Sequence, residues 1–323
     1  MKQPSLQQPI IIDQLQALLR RLPNPHPKRE EITEHLRRFK IGHAGEQTLD
    51  LQMPMIPENC KVFRNMTLRS PANGETFQID LLILHPCFAF IGEVKNMAGT
   101  LTFDLKHGQL LRMLDGSLQS FACPVNQSSR QAFHFRLWLK KYADVNPPVL
   151  NHVLISNYQA IIEAPADHDG IYHAANLPRE LMHVSKIYTR RVITKEKMKS
   201  ICETLKNSNA EHRSNVLKKY HLAETEILGK LTCQHCGNQT IMRIKRSWKC
   251  TSCDWRDVNT HIHTLRDISL LIQTPLHRKT FDFIFGNIPA RSTLRLIAPF
   301  STRSGNKRLL LIDKIEEAYE KTL

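Results

Sequence analysis

Gln78-Ile79-Asp80-Leu81-Leu82-Ile83-Leu84-His85-Pro86-Cys87-Phe88-Ala89-Phe90-Ile91-Gly92-Glu93-Val94-Lys95 is the stretch that decides how this chain folds. Two apolar runs flank His85-Pro86-Cys87. Proline donates no ladder hydrogen bond, so the tripeptide marks a turn rather than a continuing strand. Closing that turn as a hairpin loop of residues 85–88 sets Leu84 opposite Ala89. In the same register Asp80 faces Glu93 and Gln78 faces Lys95. Opposed side chains leave one sheet face with Cβ atoms roughly 5 Å apart, and Glu93 and Lys95 share a face because strands alternate with period two. Two carboxylates and an ammonium therefore meet at one end of an otherwise apolar ribbon. Buried charge without a counter-charge is costly, so the set suits a divalent cation. A structural ion pair at a strand end accounts for the same residues.

Gly42-x-x-Gly45-Glu46, Gln78-Ile79-Asp80 and Glu93-Val94-Lys95-Asn96, with Gly99 after it, resemble the nuclease-related domain (NERD) family, a branch of the PD-(D/E)xK nuclease superfamily. The resemblance covers residues 38–150, under half the chain. It implies an α/β fold with a restriction-endonuclease-type core, a mixed central sheet flanked by helices. It also implies a catalytic set of Glu46, Asp80, Glu93, Lys95 and Gln127, with Asp80 and Glu93 holding Mg²⁺ or Mn²⁺. Glu46 falls on a helix predicted over 43–52, where a glutamate also complements the helix dipole. Gln127 matches the family's glutamine at the start of a helix predicted over 127–142, capped by Asn126 or Ser128; capping or packing is its other role. Ile79 rather than proline precedes Asp80, so the superfamily's named motif is only partly present.

The 323 residues allow two or three domains. No long apolar run and no signal-like core appear in the sequence, which places the protein in the cytoplasm with no membrane partner. The formal net charge of +15 favours a polyanionic partner. Amphipathic spacing of Ile11, Leu15, Leu18, Leu19 and Leu22 predicts a helix over 7–21, and a charged helix follows over 28–40. Residues 1–40 read as a helical extension, a scaffold or a surface for a protein partner. Strands are predicted at 61–68, 99–103, 149–156 and 187–192, which completes a nuclease-like domain over 41–192.

From Lys186 to Arg256 sixteen Lys or Arg stand against six Asp or Glu. A basic helical linker is expected over 193–230, with helices near 194–206 and 211–222. Cys233-x2-Cys236-Gly237 and Cys250-x2-Cys253 follow, half of the chain's eight cysteines. Four thiolates at that spacing suit one structural, tetrahedral Zn²⁺ in a ribbon over 231–258, with no position left for water. The segment resembles the C-terminal zinc ribbons of bacterial DNA topoisomerases. Arg243, Lys245, Arg246, Trp248 and Lys249 between the knuckles read as nucleic-acid contacts; Trp248 and Trp255 read equally as the ribbon's small core. His261-Ile262-His263 reads as a strand with exposed histidines, able to ligate metal from one face.

Residues 259–323 predict helices to Gln273, around 277–285 and from Ala290, then a hairpin over 300–312. That order resembles a winged helix, whose second helix, with Arg291 and Arg295, would enter a groove of DNA; a helical packing module is the plainer reading. The expectation for the whole is a metal-dependent nuclease acting on nucleic acid, DNA before RNA. The alternatives are a non-catalytic DNA-binding protein built on a nuclease-like core, and an interaction scaffold.

Overall fold

The computed structural model describes residues 6, 8–166, 168, 170–209, 214–286 and 288–322. They form two compact units, one from the described residues of 1–8 and 40–212, the other from those of 9–39 and 213–323. Helix α1 (Ile10–Arg21) belongs to the second unit, and the boundary falls inside helix α2 (Arg29–Gln47). Two helices were expected over 28–40 and 43–52. One continuous helix forms instead, followed by two 3₁₀ turns at Thr48–Leu51 and Met53–Met55. Glycine weakens a helix without ending it. At Gly45 the missing Cβ is needed, because one there would lie 2.4 Å from Asn96 Cβ and 2.7 Å from Ser156 Oγ.

The first unit continues through β1 (Lys61–Arg69), β2 (Thr76–Leu84), β3 (Ala89–Lys95), β4 (Thr100–Asp104), β5 (Gln109–Leu114) and β6 (Ser117–Ala122). Then come α3 (Pro124–Ala143), β7 (Val149–Ile155), β8 (Ile161–Glu163), β9 (Ile171–His173), α4 (Leu177–Ile187) and α5 (Lys195–Ser208). The main sheet has the order β1-β2-β3-β7-β9, antiparallel across β1, β2 and β3 and parallel across β3, β7 and β9. Residues 81–84 and 88–91 are wholly buried, as a strand pair covered on both faces requires. One face packs Leu82, Leu84 and Ile91 against Phe135, Trp138 and Leu139 of α3 and Ile201 and Leu205 of α5. The other packs Leu81, Ile83 and Phe90 against Leu177 and Leu181 of α4. A second sheet, β6-β5-β4-β8, carries its own core around Leu101, Phe103 and Leu110. This is the mixed α/β arrangement that the family resemblance and the order of strands and helices implied.

Two local expectations fail here. Residues 187–192 are not a strand: Ile187 ends α4, and the Val192 and Ile193 amides both donate to the Pro86 carbonyl. Helix α3 starts at Pro124 after Cys123, upstream of the expected caps, because proline suits the first helical turn.

The second unit adds α6 (Val216–Tyr220), α7 (Glu224–Ile227), β10 (Ile241–Ile244), β11 (Ser247–Cys250), β12 (Arg256–Asp257) and α8 (Thr260–Leu271). It ends with β13 (Leu276–His277), α9 (Arg278–Ile284), α10 (Ala290–Ile297), β14 (Ser301–Ser304), β15 (Lys307–Leu310) and α11 (Ile312–Glu320). Leu15, Leu18 and Leu22 of α1 share one core with Trp248, Leu265, Ile268, Phe281, Ile297 and Ile315. The apolar face of α1 is thus occupied within its own unit and is not a free surface for a partner. The five-segment division expected from the sequence gives way accordingly, with 10–39, the ribbon and the tail in one body. Arg21, 1% exposed, binds the carbonyls of Ile227 (3.0 Å), Gly229 (2.5 Å) and Lys230 (2.8 Å) and Thr232 Oγ1 (3.1 Å). Burial lowers its guanidinium to about 10. The arginine pins the segment that enters the first zinc knuckle.

Candidate active site and metal centre

The β2–β3 ladder keeps the expected register from Leu84 opposite Ala89 to Leu81 opposite Gly92, but the expected pairs Asp80–Glu93 and Gln78–Lys95 are not part of it. The His85–Phe88 loop is closed by hydrogen bonds in both directions between its end residues. Beyond Leu81 the ladder stops, because the Val94 amide donates to Asp80 Oδ2 at 3.0 Å instead of to a strand carbonyl. Charged groups gather at this end of the hairpin. Lys95 Nζ donates to Glu93 Oε1 at 2.7 Å and to Gln127 Oε1 at 3.2 Å. Glu93, 1% exposed, takes a second bond on Oε2 from Gln131 Nε2 at 2.7 Å. Asp80 is pushed up to about 8, first by burial and then by the neighbouring Glu93 and Glu46 carboxylates. Glu46 is raised as well, chiefly by burial.

Helix α2 carries Glu46 to this place through three contacts. Gly45 packs directly on Asn96 and Ser156. Asn96 Nδ2 donates to the Ile41 carbonyl at 2.9 Å. The Arg64 guanidinium donates to the Glu46 carbonyl and, at 2.7 Å, to Asp50 Oδ1. Glu46, Asp80, Glu93, Lys95 and Gln127, far apart in sequence, therefore converge. Sequence reasoning passed over Gln131, yet it lies four residues after Gln127 on the same helix face. That spacing was the available signal.

Three carboxyl groups stand near a single ammonium, Glu93 buried and Glu46, Asp80 and Lys95 half-buried, and Glu46 Oε2 and Gln131 Oε1 are buried atoms without a hydrogen-bond partner among the described residues. Hard oxygen donors whose ionised forms are disfavoured by burial and by one another fit a divalent cation of the magnesium class. The oxygens are not drawn into a tight cage: Lys95 and Gln131 hold both oxygens of Glu93. Among the described residues, Cys233, Cys236, Cys250 and Cys253 form the one set of three or more candidate ligands with all donor atoms within 4.8 Å.

That second site is built by two like turns. The Gly237 amide returns to the Cys233 carbonyl at 3.0 Å with Gly237 at φ +75°, and the Asp254 amide returns to the Cys250 carbonyl at 3.0 Å with Asp254 at φ +58°. Sulfur separations are 3.7 Å for Cys233–Cys253 and 3.6 Å for Cys236–Cys250. Tetrahedral zinc with Zn–S near 2.3 Å asks for about 3.8 Å between sulfurs, so the four thiols suit that ion. β10, β11 and β12 form the ribbon's sheet.

The ribbon's candidate contacts separate into two groups. Lys245 and Arg246 are exposed at the β10–β11 turn, and Lys249 pairs with Asp254 at 2.5 Å. Trp248 is 1% exposed, donates through Nε1 to His261 Nδ1 at 3.3 Å, and lies under Arg243 at 4.5 Å from its ring centre. It cannot stack on a base; the core role holds for Trp248. Trp255 is the exposed one, stacked on His235 at 5.3 Å. His261 and His263 lie on helix α8, not on a strand, and His261 is buried. Arg291 and Arg295 are exposed on α10.

Residues 41–158 match the family model of the nuclease-related domain. No curated protein and no solved structure matches the chain. The matched stretch contains the hairpin and the Glu46 helix end and reaches across the Gln127 helix, so the candidate site lies within the part of the chain that is similar to the nuclease-related domain. No helix among the described residues is long and apolar enough to cross a membrane.

Proposed function

We propose that the protein is a metal-dependent nuclease that hydrolyses phosphodiester bonds in DNA at the Asp80–Glu93–Lys95 end of the hairpin. The supporting observation is the meeting of half-buried Asp80 and Glu46 with buried Glu93, and Lys95 as the one ammonium reaching Glu93. A divalent cation held by Asp80 and Glu93 would polarise a phosphoryl oxygen and acidify a bound water. Lys95, released from Glu93 Oε1, offsets charge on the scissile phosphate or takes the proton of the attacking water. Gln127 holds the ammonium in place for this work, and Glu46 adds negative potential beside Asp80. The four cysteines hold one zinc that keeps the ribbon folded. Arg243, Lys245, Arg246 and Lys249 bring phosphates to the ribbon surface.

The reading is tested by incubating the purified protein with plasmid and linear DNA in Mg²⁺, in Mn²⁺ and in chelator. Cleavage with either cation, abolished by the chelator, is the expected result. A protein that binds DNA and cuts none of it with either cation would be the non-catalytic DNA-binding alternative.

A further inference from the structure

The end of the second unit runs α8–β13–α9–α10–β14–β15, and its strands pair in the order β13-β15-β14. Leu276 lies opposite Arg308 and Ser301 opposite Leu310. This is the element order and sheet order of a winged helix, with α10 second of the two helices and residues 302–307 as the wing. Helix α10 buries Thr293 and Ile297, four residues apart, and turns Arg291, Ser292 and Arg295 outward. The wing is exposed throughout and reverses at Gly305, φ +57°.

Charge singles out this face. From Phe283 to Ile312 the sequence has Arg291, Arg295, Arg303, Lys307 and Arg308 and no acidic residue. Other arginines of the module are paired, Arg266 with Asp13 and Glu316 and Arg278 with Asp282. No carboxylate pairs with Arg291, Arg295, Arg303 or Lys307 among the described residues. A helix is ~10–12 Å across, the width of the major groove of B-form DNA. The deep, narrow major groove of A-form RNA does not admit it. α10 and the wing carry no aromatic side chain, the group on which unpaired bases stack.

We propose that this module docks on duplex DNA, α10 in the major groove with Arg291, Ser292 and Arg295 toward base edges, and Arg303, Asn306 and Lys307 of the wing on phosphates. The inference rests on the nucleic-acid part of the proposed function and narrows the substrate to double-stranded DNA.

The test uses the full chain in chelator, so that no cleavage intrudes. Fluorescence anisotropy compares a short DNA duplex, its single strand and an RNA duplex of the same sequence. The proteins are wild type, Arg291→Ala/Arg295→Ala and Arg303→Ala/Lys307→Ala, each checked for an unchanged melting temperature. The substituted residues are exposed, and Arg291→Lys/Arg295→Lys serves as a second variant that keeps charge and removes the bidentate fork. Duplex DNA should bind tightest to wild type and lose at least ~10-fold per α10 arginine removed. The wing variant should lower the salt slope by about one for each phosphate it no longer neutralises, and the lysine variant should weaken duplex binding less than alanine does. Wild-type duplex affinity in both alanine variants would overturn the proposal, as would equal wild-type affinity for the RNA duplex or the single strand. Either outcome leaves the hydrolytic reading standing, because that is judged by cleavage alone.

Discussion

At the proposed site a proton and a divalent cation would compete for Asp80. With its carboxyl pushed up to about 8, the folded protein without metal holds a proton that the unfolded chain releases near the ordinary value of about 3.9. Asp80's contribution to the stability of the metal-free protein is therefore greatest below that ordinary value and is lost as pH rises through about 8. Thermal melts in chelator between pH 5 and pH 8 should show the fall, and Asp80→Asn should flatten it; an unchanged slope in the variant would contradict this linkage. Mn²⁺ affinity should rise toward pH 8 by up to ~10-fold per pH unit, since binding expels the proton. Calorimetric titrations at two pH values check this. Gly45 is the other decisive residue. Gly45→Ala must displace Asn96 or the end of α2, costing about 1–3 kcal/mol by overpacking and moving Glu46 away from the carboxylates. At this scale Asp80, Glu93 and Lys95 were legible because the hairpin turn fixes which strand ends meet, although the ladder stops at Leu81–Gly92 and the last step is made by side chains, Asp80 Oδ2 accepting from the Val94 amide. Glu46 needed the family resemblance, since nothing local says where a helix end will dock. Gln131 was missed because its meaning lies in the partner it reaches.

The ribbon shows how much an element's reading depends on what packs behind it. Its cysteine spacing, and Gly237 in the turn, were legible without a fold because four thiolates can surround one tetrahedral ion from two such turns. Which tryptophan is buried was not legible. Trp248 faces the shared core beside His261 and Phe285, whereas Trp255 is exposed, and a four-residue strand followed by a turn offers too little periodicity to tell them apart. Trp248→Ala should cost about 3–5 kcal/mol, read as a lower denaturation midpoint, whereas Trp255→Ala should leave it near wild type. Stripping zinc should unfold the ribbon, since its sheet is too small to persist without the ion. A folded ribbon in protein shown by elemental analysis to contain no zinc would contradict this. Helix α2 teaches the converse. Gly42 and Gly45 looked like a break, and the sequence could not show that one of them is a packing requirement.

The whole molecule departs furthest from its linear reading. Composition shifts at Lys186, but the units divide elsewhere, and 9–39 belongs with the C-terminal third. Charge is a surface property and does not mark where cores end; many partners of α1 lie about two hundred residues away or more, as with Gln14 and the Leu270 carbonyl. Deleting residues 1–28 should therefore unfold the second unit and release its zinc, because Leu15, Leu18 and Arg21 are wholly or almost wholly buried in it. Retention of zinc and of its helical signal by that truncation would contradict the shared core. The central claim concerns the first unit, and one comparison reaches it most directly: single-turnover cleavage of a DNA duplex in Mg²⁺ by wild type, Asp80→Asn and Lys95→Ala at matched occupancy. The account predicts losses of about a hundredfold or more in each variant with DNA affinity nearly unchanged. Cleavage by both variants at the wild-type rate would place the chemistry elsewhere.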